Sequence, residues 1–322
     1  MIYKPAEQKK NIQYMHLSFD DGWRCFDNLA SKNYDSLFDE PFLGWMKEMH
    51  DSYGAVFSIY AFNESLTAFA ASENATKYQK EFQAAKSWLK IGLHSPLNDQ
   101  RANFGTDKGT AYSTKEAGYT EWYAMLSGVM TVTGDKECLD LFPRLHNAAG
   151  TEEVIDGFIA AGRNFAASTS NPTDTAADYV PMGFHAADDN RRCFYLDQET
   201  SNWLAGHDYL TDTGKNIRFL RSDIRAEYFA TSPSKFTKSN MYSELVYRHT
   251  DASYEISAAS MIIFSHENRI QTNRDGVAET MEQAAKFAKD FGIEFAFPQD
   301  RSFAVTEKDF ASAPAPDYTP AI

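Results

Sequence analysis

An α/β fold built on parallel strands is what this sequence predicts, and three observations predict it. Short apolar runs alternate with segments of helical periodicity, the pattern of strands joined by crossover helices. Four of the runs end in polar residues: Asp20-Asp21, His94, Arg144-Leu145-His146 and His266-Glu267. In a parallel barrel, chemistry collects at the carboxyl ends of the strands, where loops bring distant residues together. The chain, 322 residues with 43 % hydrophobic and 14 % aromatic content, is long enough for one large barrel with a sizeable core.

The elements follow in order. Met15-His16-Leu17-Ser18-Phe19 reads as a buried strand with Asp20 and Asp21 at its lip and Gly22 turning the backbone away. Pro41 suits a helix start, Phe42, Trp45, Met46, Met49 and Tyr53 recur at helical spacing, and Gly54 ends the run. Residues 55–60 make the second strand, and Tyr78, Phe82, Ala85 and Leu89 trace one face of the next helix. Ile91-Gly92-Leu93 is then a short strand that delivers His94. Residues 116–133 are helical and 139–145 read as a strand carrying Arg144, with His146 beyond it. Thr151 caps a helix whose first turn holds Glu152 and Glu153, which favour the positive end of its dipole.

Residues 168–189, rich in Asn, Pro, Thr, Asp and Gly, read as a long rim loop, and residues 193–196 as a candidate strand. Ile217-Arg218-Phe219-Leu220 leads to the polar cluster 222–227, which includes Asp223. It reads equally as a surface salt-bridge cluster or as a substrate-binding segment. Residues 259–264 form the clearest strand and end at Ser265-His266-Glu267. A helix then places Val277, Met281, Ala284, Ala288 and Phe291 on one face, with Gly292 after it. Residues 311–322 are rich in Pro and Ala.

Charge excludes some functions. With 45 acidic against 31 basic residues and a net charge of -14, the chain lacks the clustered Lys and Arg that nucleic acid or an anionic membrane requires. Its first thirteen residues contain no apolar core segment, so a cytoplasmic location is the expectation. Three cysteines without a CxxC spacing suit reduced thiols.

The motifs now resemble a known family. His16-Leu17-Ser18-Phe19-Asp20-Asp21-Gly22 is similar to the first motif of the polysaccharide deacetylases, the family-4 carbohydrate esterases of the NodB-homology fold. His94-Ser95-Pro96-Leu97-Asn98 resembles their second motif, Phe142-Pro143-Arg144-Leu145-His146-Asn147 their third, and Met261-Ile262-Ile263-Phe264-Ser265-His266 the last. The resemblance runs from about Tyr14 to Phe297 and implies one domain over residues 1–322, with residues 298–322 as a tail. It implies a distorted (β/α)7 barrel and metal-assisted removal of an acetyl group from a carbohydrate. Carried over, Asp20 is the general base, Arg144 orients it, and His266 is the general acid. Asp21 and His94 are metal ligands.

The family's second histidine ligand falls on Asn98. Zinc is the metal the resemblance implies, and an amide oxygen there admits magnesium, manganese or calcium. His146 is the alternative third ligand or a substrate contact, and Trp23, just past the Asp-Asp-Gly turn, is a platform for a sugar face. Two other readings stay open. One is a glycoside hydrolase pairing Asp20 or Asp21 with Glu267, which would then lie beside the substrate. The other is a carbohydrate-binding barrel that has lost its metal site.

Overall fold

The computed structural model describes residues 2–4, 11–95, 114–141, 143–144, 151–162, 165–166, 196, 198–205, 207–215, 217–220, 222–251 and 259–298. In chain order the strands are β1 (Ile2–Tyr3), β2 (Tyr14–Gly22), β3 (Phe57–Phe62), β4 (Leu89–Ser95), β5 (Phe165–Ala166), β6 (Tyr209–Asp212), β7 (Ile217–Leu220), β8 (Ile224–Arg225), β9 (Ser260–His266) and β10 (Glu294–Phe295). The helices are α1 (Arg24–Ser31), α2 (Pro41–Tyr53), α3 (Asn63–Ala70), α4 (Gln79–Ala85), α5 (Lys115–Thr133), α6 (Glu152–Ala160), α7 (Gln198–Ala205), α8 (Tyr228–Thr231), α9 (Met241–Thr250), α10 (Glu267–Gln271) and α11 (Val277–Phe291).

β2 is the centre of the larger sheet, whose order is β4-β3-β2-β9-β8 with β10 added beside the start of β2. Every pairing in it is parallel. Covered on both faces, β2 is buried along nearly its whole length, although its sequence alternates apolar with polar residues. Alternation still sorts its side chains. Phe19 points to the helices and packs edge-on against Phe42 of α2 at 5.0 Å and Trp45 at 5.7 Å. Asp20 lies on the opposite face with His16 and Ser18.

The predicted ends of α2 hold for stated reasons. Glu40 accepts hydrogen bonds from the Phe42 and Leu43 amides, Pro41 occupies the first turn, and Gly54 closes the helix at φ 74°.

The second sheet, β1-β6-β7-β5, is antiparallel at β1/β6 and β6/β7 and parallel at β5/β7. Its Tyr209 and Leu220 join Tyr60 of β3 and Ile262 of β9 in one buried cluster. Below the site the interior of the larger sheet is polar. Ser58 and Tyr60 of β3 both donate to the fully buried Asp140 carboxylate.

The α/β class and the parallel sheet are as predicted. Among the described residues the strands make an open sheet, without a closed seven-stranded ring. The strand expected over 139–145 is reduced to a bridge between Leu139 and Ile91, with Asp140 and Arg144 amides donating to the Ile91 and Leu93 carbonyls. Pro143 lacks an amide hydrogen, so a continuous ladder cannot run through it. The loop 168–189, most of the candidate strand 193–196 and nearly all of the tail 298–322 lie outside the described residues. Cys25 and Cys138 are buried free thiols. No described helix is long and apolar enough to cross a membrane.

Candidate active site

The site begins with a register shift. β2 pairs with β9 without interruption through Asp20 opposite His266, whereas its pairing with β3 slips between Phe19 and Gly22. Asp21 sits in that slip at φ 54°, a left-handed conformation that costs a non-glycine residue on the order of 1 kcal/mol. Gly22 follows because β3 comes too close for a side chain: a Cβ there would lie 2.5 Å from Ile59 Cγ2. The bulge, more than plain alternation, is what aims two adjacent carboxylates at different partners.

Asp20 is buried and accepts from Arg144 Nε at 2.6 Å. The Arg144 guanidinium, itself buried, lies 4.0 Å from the centre of the Phe264 ring. That packing fixes its plane and so the position of the Asp20 carboxylate.

Asp21 faces two imidazoles. Its Oδ1 is 3.1 Å from His94 Nε2, and its Oδ2 is 3.9 Å from His266 Nε2. His94 Nδ1 lies 2.5 Å from the Arg144 carbonyl, which can only accept, so the proton is on Nδ1. Nε2 of the neutral ring therefore turns a lone pair toward a carboxylate oxygen, and two acceptors at that distance repel unless a proton or a cation lies between them. Burial disfavours a charged His94, but the Asp21 hydrogen bond and the Asp20 and Asp21 charges outweigh it and raise its pKa.

That geometry is the test of fit for a metal. A histidine fixed through its second nitrogen, with a carboxylate beside its free one, is a metal-ligand pair, so Asp21 and His94 fit as two donors. Asn98 and His146, the two candidates for the third, lie outside the described residues. Among the described residues no group of three or more His, Cys, Asp and Glu could hold a metal ion.

His266 is oriented by a residue that the motifs missed. Its Nδ1 is 2.7 Å from Oε1 of Glu227, which is also 2.7 Å from Arg225 Nε, while Ser265 Oγ donates to the other carboxylate oxygen. Burial would raise the Glu227 pKa, but the bonds and charges of His266 and Arg225 prevail and hold it well below the ordinary carboxylate range. Its position was readable in principle. Arg225 ends β8, which pairs parallel to β9, so residues just beyond it arrive at the same mouth.

Two expected substrate contacts lie in the interior. Asp223 is fully buried, and its Oδ2 accepts from the Ile262 amide inside the sheet. Glu267 is fully buried and accepts from the Trp23, Arg24 and Cys25 amides, capping α1 from across the fold, with Gln271 Nε2 as a further donor. Those amides engage both of its carboxylate oxygens. Trp23 is half-buried at the lip as expected, with the Arg24 guanidinium 4.9 Å from its ring centre.

No protein-family model and no curated protein matches the sequence. Solved structures do match. A CE4 family pseudoenzyme from Bacillus anthracis is 10% identical with a TM-score of 0.44, over 91% of this chain and 67% of the other. A family 4 acetyl xylan esterase from Clostridium thermocellum, in complex with a cobalt ion, is 11% identical with a TM-score of 0.40, over 89% of each chain. The catalytic domain of a peptidoglycan N-acetylglucosamine deacetylase from Eubacterium rectale is 12% identical with a TM-score of 0.38, over 90% of this chain and 91% of the other.

Proposed function

We propose that this protein is a metal-dependent hydrolase that removes an acetyl group from a carbohydrate. The observation that carries the reading is the pairing at the site: a carboxylate held by arginine and an imidazole held by carboxylate flank the Asp21–His94 pair. Asp21 and His94 would hold the cation. A divalent ion bound there, zinc by the resemblance, polarises the acyl oxygen and lowers the pKa of water to about 7.

The rest is done by the chain. Asp20, fixed by Arg144, takes the proton of the attacking water. His266, with Nδ1 engaged by Glu227, turns Nε2 toward Asp21 and the reacting group, and gives a proton to the departing amine or alkoxide. The buried Asp20–Arg144 pair excludes water from the base, which strengthens both its hydrogen bond and its orientation.

The test is acetate release. Protein stripped with a chelator and reloaded with zinc, manganese, magnesium or calcium is assayed on N-acetylated and O-acetylated oligosaccharides, with metal content measured by elemental analysis. Release that requires a bound metal supports the reading. A protein that binds no metal, or hydrolyses glycosidic bonds instead, overturns it.

A further inference from the structure

Beside the site lies a hollow of about 320 Å³ lined by Arg24, Asn268, Arg269, Thr272 and Arg274. Its walls are tied to the reacting residues by the chain itself. Arg24 stands three residues after Asp21, and Asn268 two after His266. Glu267 pins the Arg24 amide to the start of α10 at 2.8 Å, so the two walls move as one piece.

The charges in this hollow run against the rest of the molecule. In a chain of net charge -14, three guanidiniums converge on it. Asp275 answers two of them, at 2.8 Å from Arg269 and 3.8 Å from Arg274. Arg24 is different: among the described residues no carboxylate pairs with its guanidinium, which rests against Trp23. Even with Asp275 and the buried Glu267 counted, three positive charges meet two negative ones and leave a local excess of one. Asn268 adds a buried side-chain oxygen with no partner among the described residues, an acceptor suited to a sugar hydroxyl. Guanidiniums present paired N–H donors, whose geometry suits a carboxylate or phosphate.

We propose that this hollow receives an anionic substituent of the substrate, a carboxylate or phosphate carried on the acetylated carbohydrate, with Arg24 as its principal contact. The proposal rests on the deacetylase reading for the identity of the carbohydrate. It makes Trp23 the divider between two subsites: the acetyl group on the Asp21 side and the anion on the Arg24 side.

The test uses the whole protein and three short N-acetylglucosamine oligomers: one neutral, one carboxymethylated and one phosphorylated. Affinity is measured calorimetrically on metal-free protein, and acetate release on metal-loaded protein. At least one anionic oligomer is expected to bind about tenfold or more tightly than the neutral one at low salt. Whichever does so identifies the substituent. The preference should vanish in Arg24→Gln, shrink in Arg274→Gln, survive in part in Arg24→Lys, and weaken as salt is raised. Equal affinity for all three oligomers, or a preference unchanged in both glutamine variants, overturns it. The two readings fail separately. Anion preference without acetate release sinks the deacetylase reading alone, and release at one rate from all three oligomers with wild-type behaviour in Arg24→Gln sinks the anion subsite alone.

Discussion

Two buried glutamates flank the end of β9, and their partners set them apart. Glu267 is held by backbone, accepting from three successive amides at the start of α1. Glu227 is held by side chains, engaging His266, Arg225 and Ser265. Backbone partners tie a carboxylate to architecture, because those amides are orphaned helix donors that need an acceptor whatever the protein does. Side-chain partners tie a carboxylate to the tuning of a titratable group. The sequence position next to a catalytic candidate is therefore a poor guide to role, and the identity of the donors is a good one.

Four substitutions break or sharpen this contrast. Asp20→Asn keeps an oxygen for Arg144 but removes the base. Turnover should fall by about 10²- to 10⁴-fold, while elemental analysis finds metal content unchanged. Glu267→Gln should act on the other region, lowering stability by about 3 kcal/mol in chemical denaturation, because one acceptor oxygen becomes a donor facing backbone N–H groups. Metal content in the folded fraction should stay the same.

Glu227→Gln sits between them, with an expected loss in turnover of about 10- to 100-fold. It should also alter acid stability. The folded-state pKa of Glu227 is depressed, so its contribution is fully present above the ordinary value of 4.5 and is lost as pH falls toward the folded value. Thermal unfolding between pH 5 and 2 should accordingly be less steep in the variant. Equal slopes would mean that the His266 and Arg225 contacts do not hold the charge. On stability, the smallest effect is expected for Asp21→Gly. Glycine accepts the left-handed backbone, so stability should change by about 1 kcal/mol or less, while metal affinity is lost. Retention of metal would remove Asp21 from the ligand set.

The sequence made the parallel sheet legible because β9 reads as an apolar run, and β2 as an alternating strand that ends in two carboxylates. The residues that meet at the site were legible where they stand at strand ends, Asp20, Asp21, His94 and His266, while Arg144 arrives on a segment expected to be a strand and reduced to a single bridge. Glu227 stood inside the polar cluster 222–227 without an assigned role, because β8 is only two residues long and leaves no periodic signal. The direction of Glu267 was not legible, because adjacency to His266 says nothing of direction, and α10 starts there and turns it inward. Asp223 reads alike at the surface and inside a sheet, because the sequence does not show which neighbouring strand donates to its carboxylate.

The slip on one side of β2 has an evolutionary corollary. Because β2 stays in step with β9 while losing step with β3, the spacing between Phe19 and Gly22 is fixed by two neighbours with different demands. Deleting one residue there restores even pairing with β3 only by removing one of the two carboxylates, Asp20 or Asp21. Inserting one pushes Gly22 away from the close approach to Ile59 that only glycine tolerates. Lineages of this protein can therefore change chemistry by exchanging side chains at the lip, but not by changing the length of the chain that forms it.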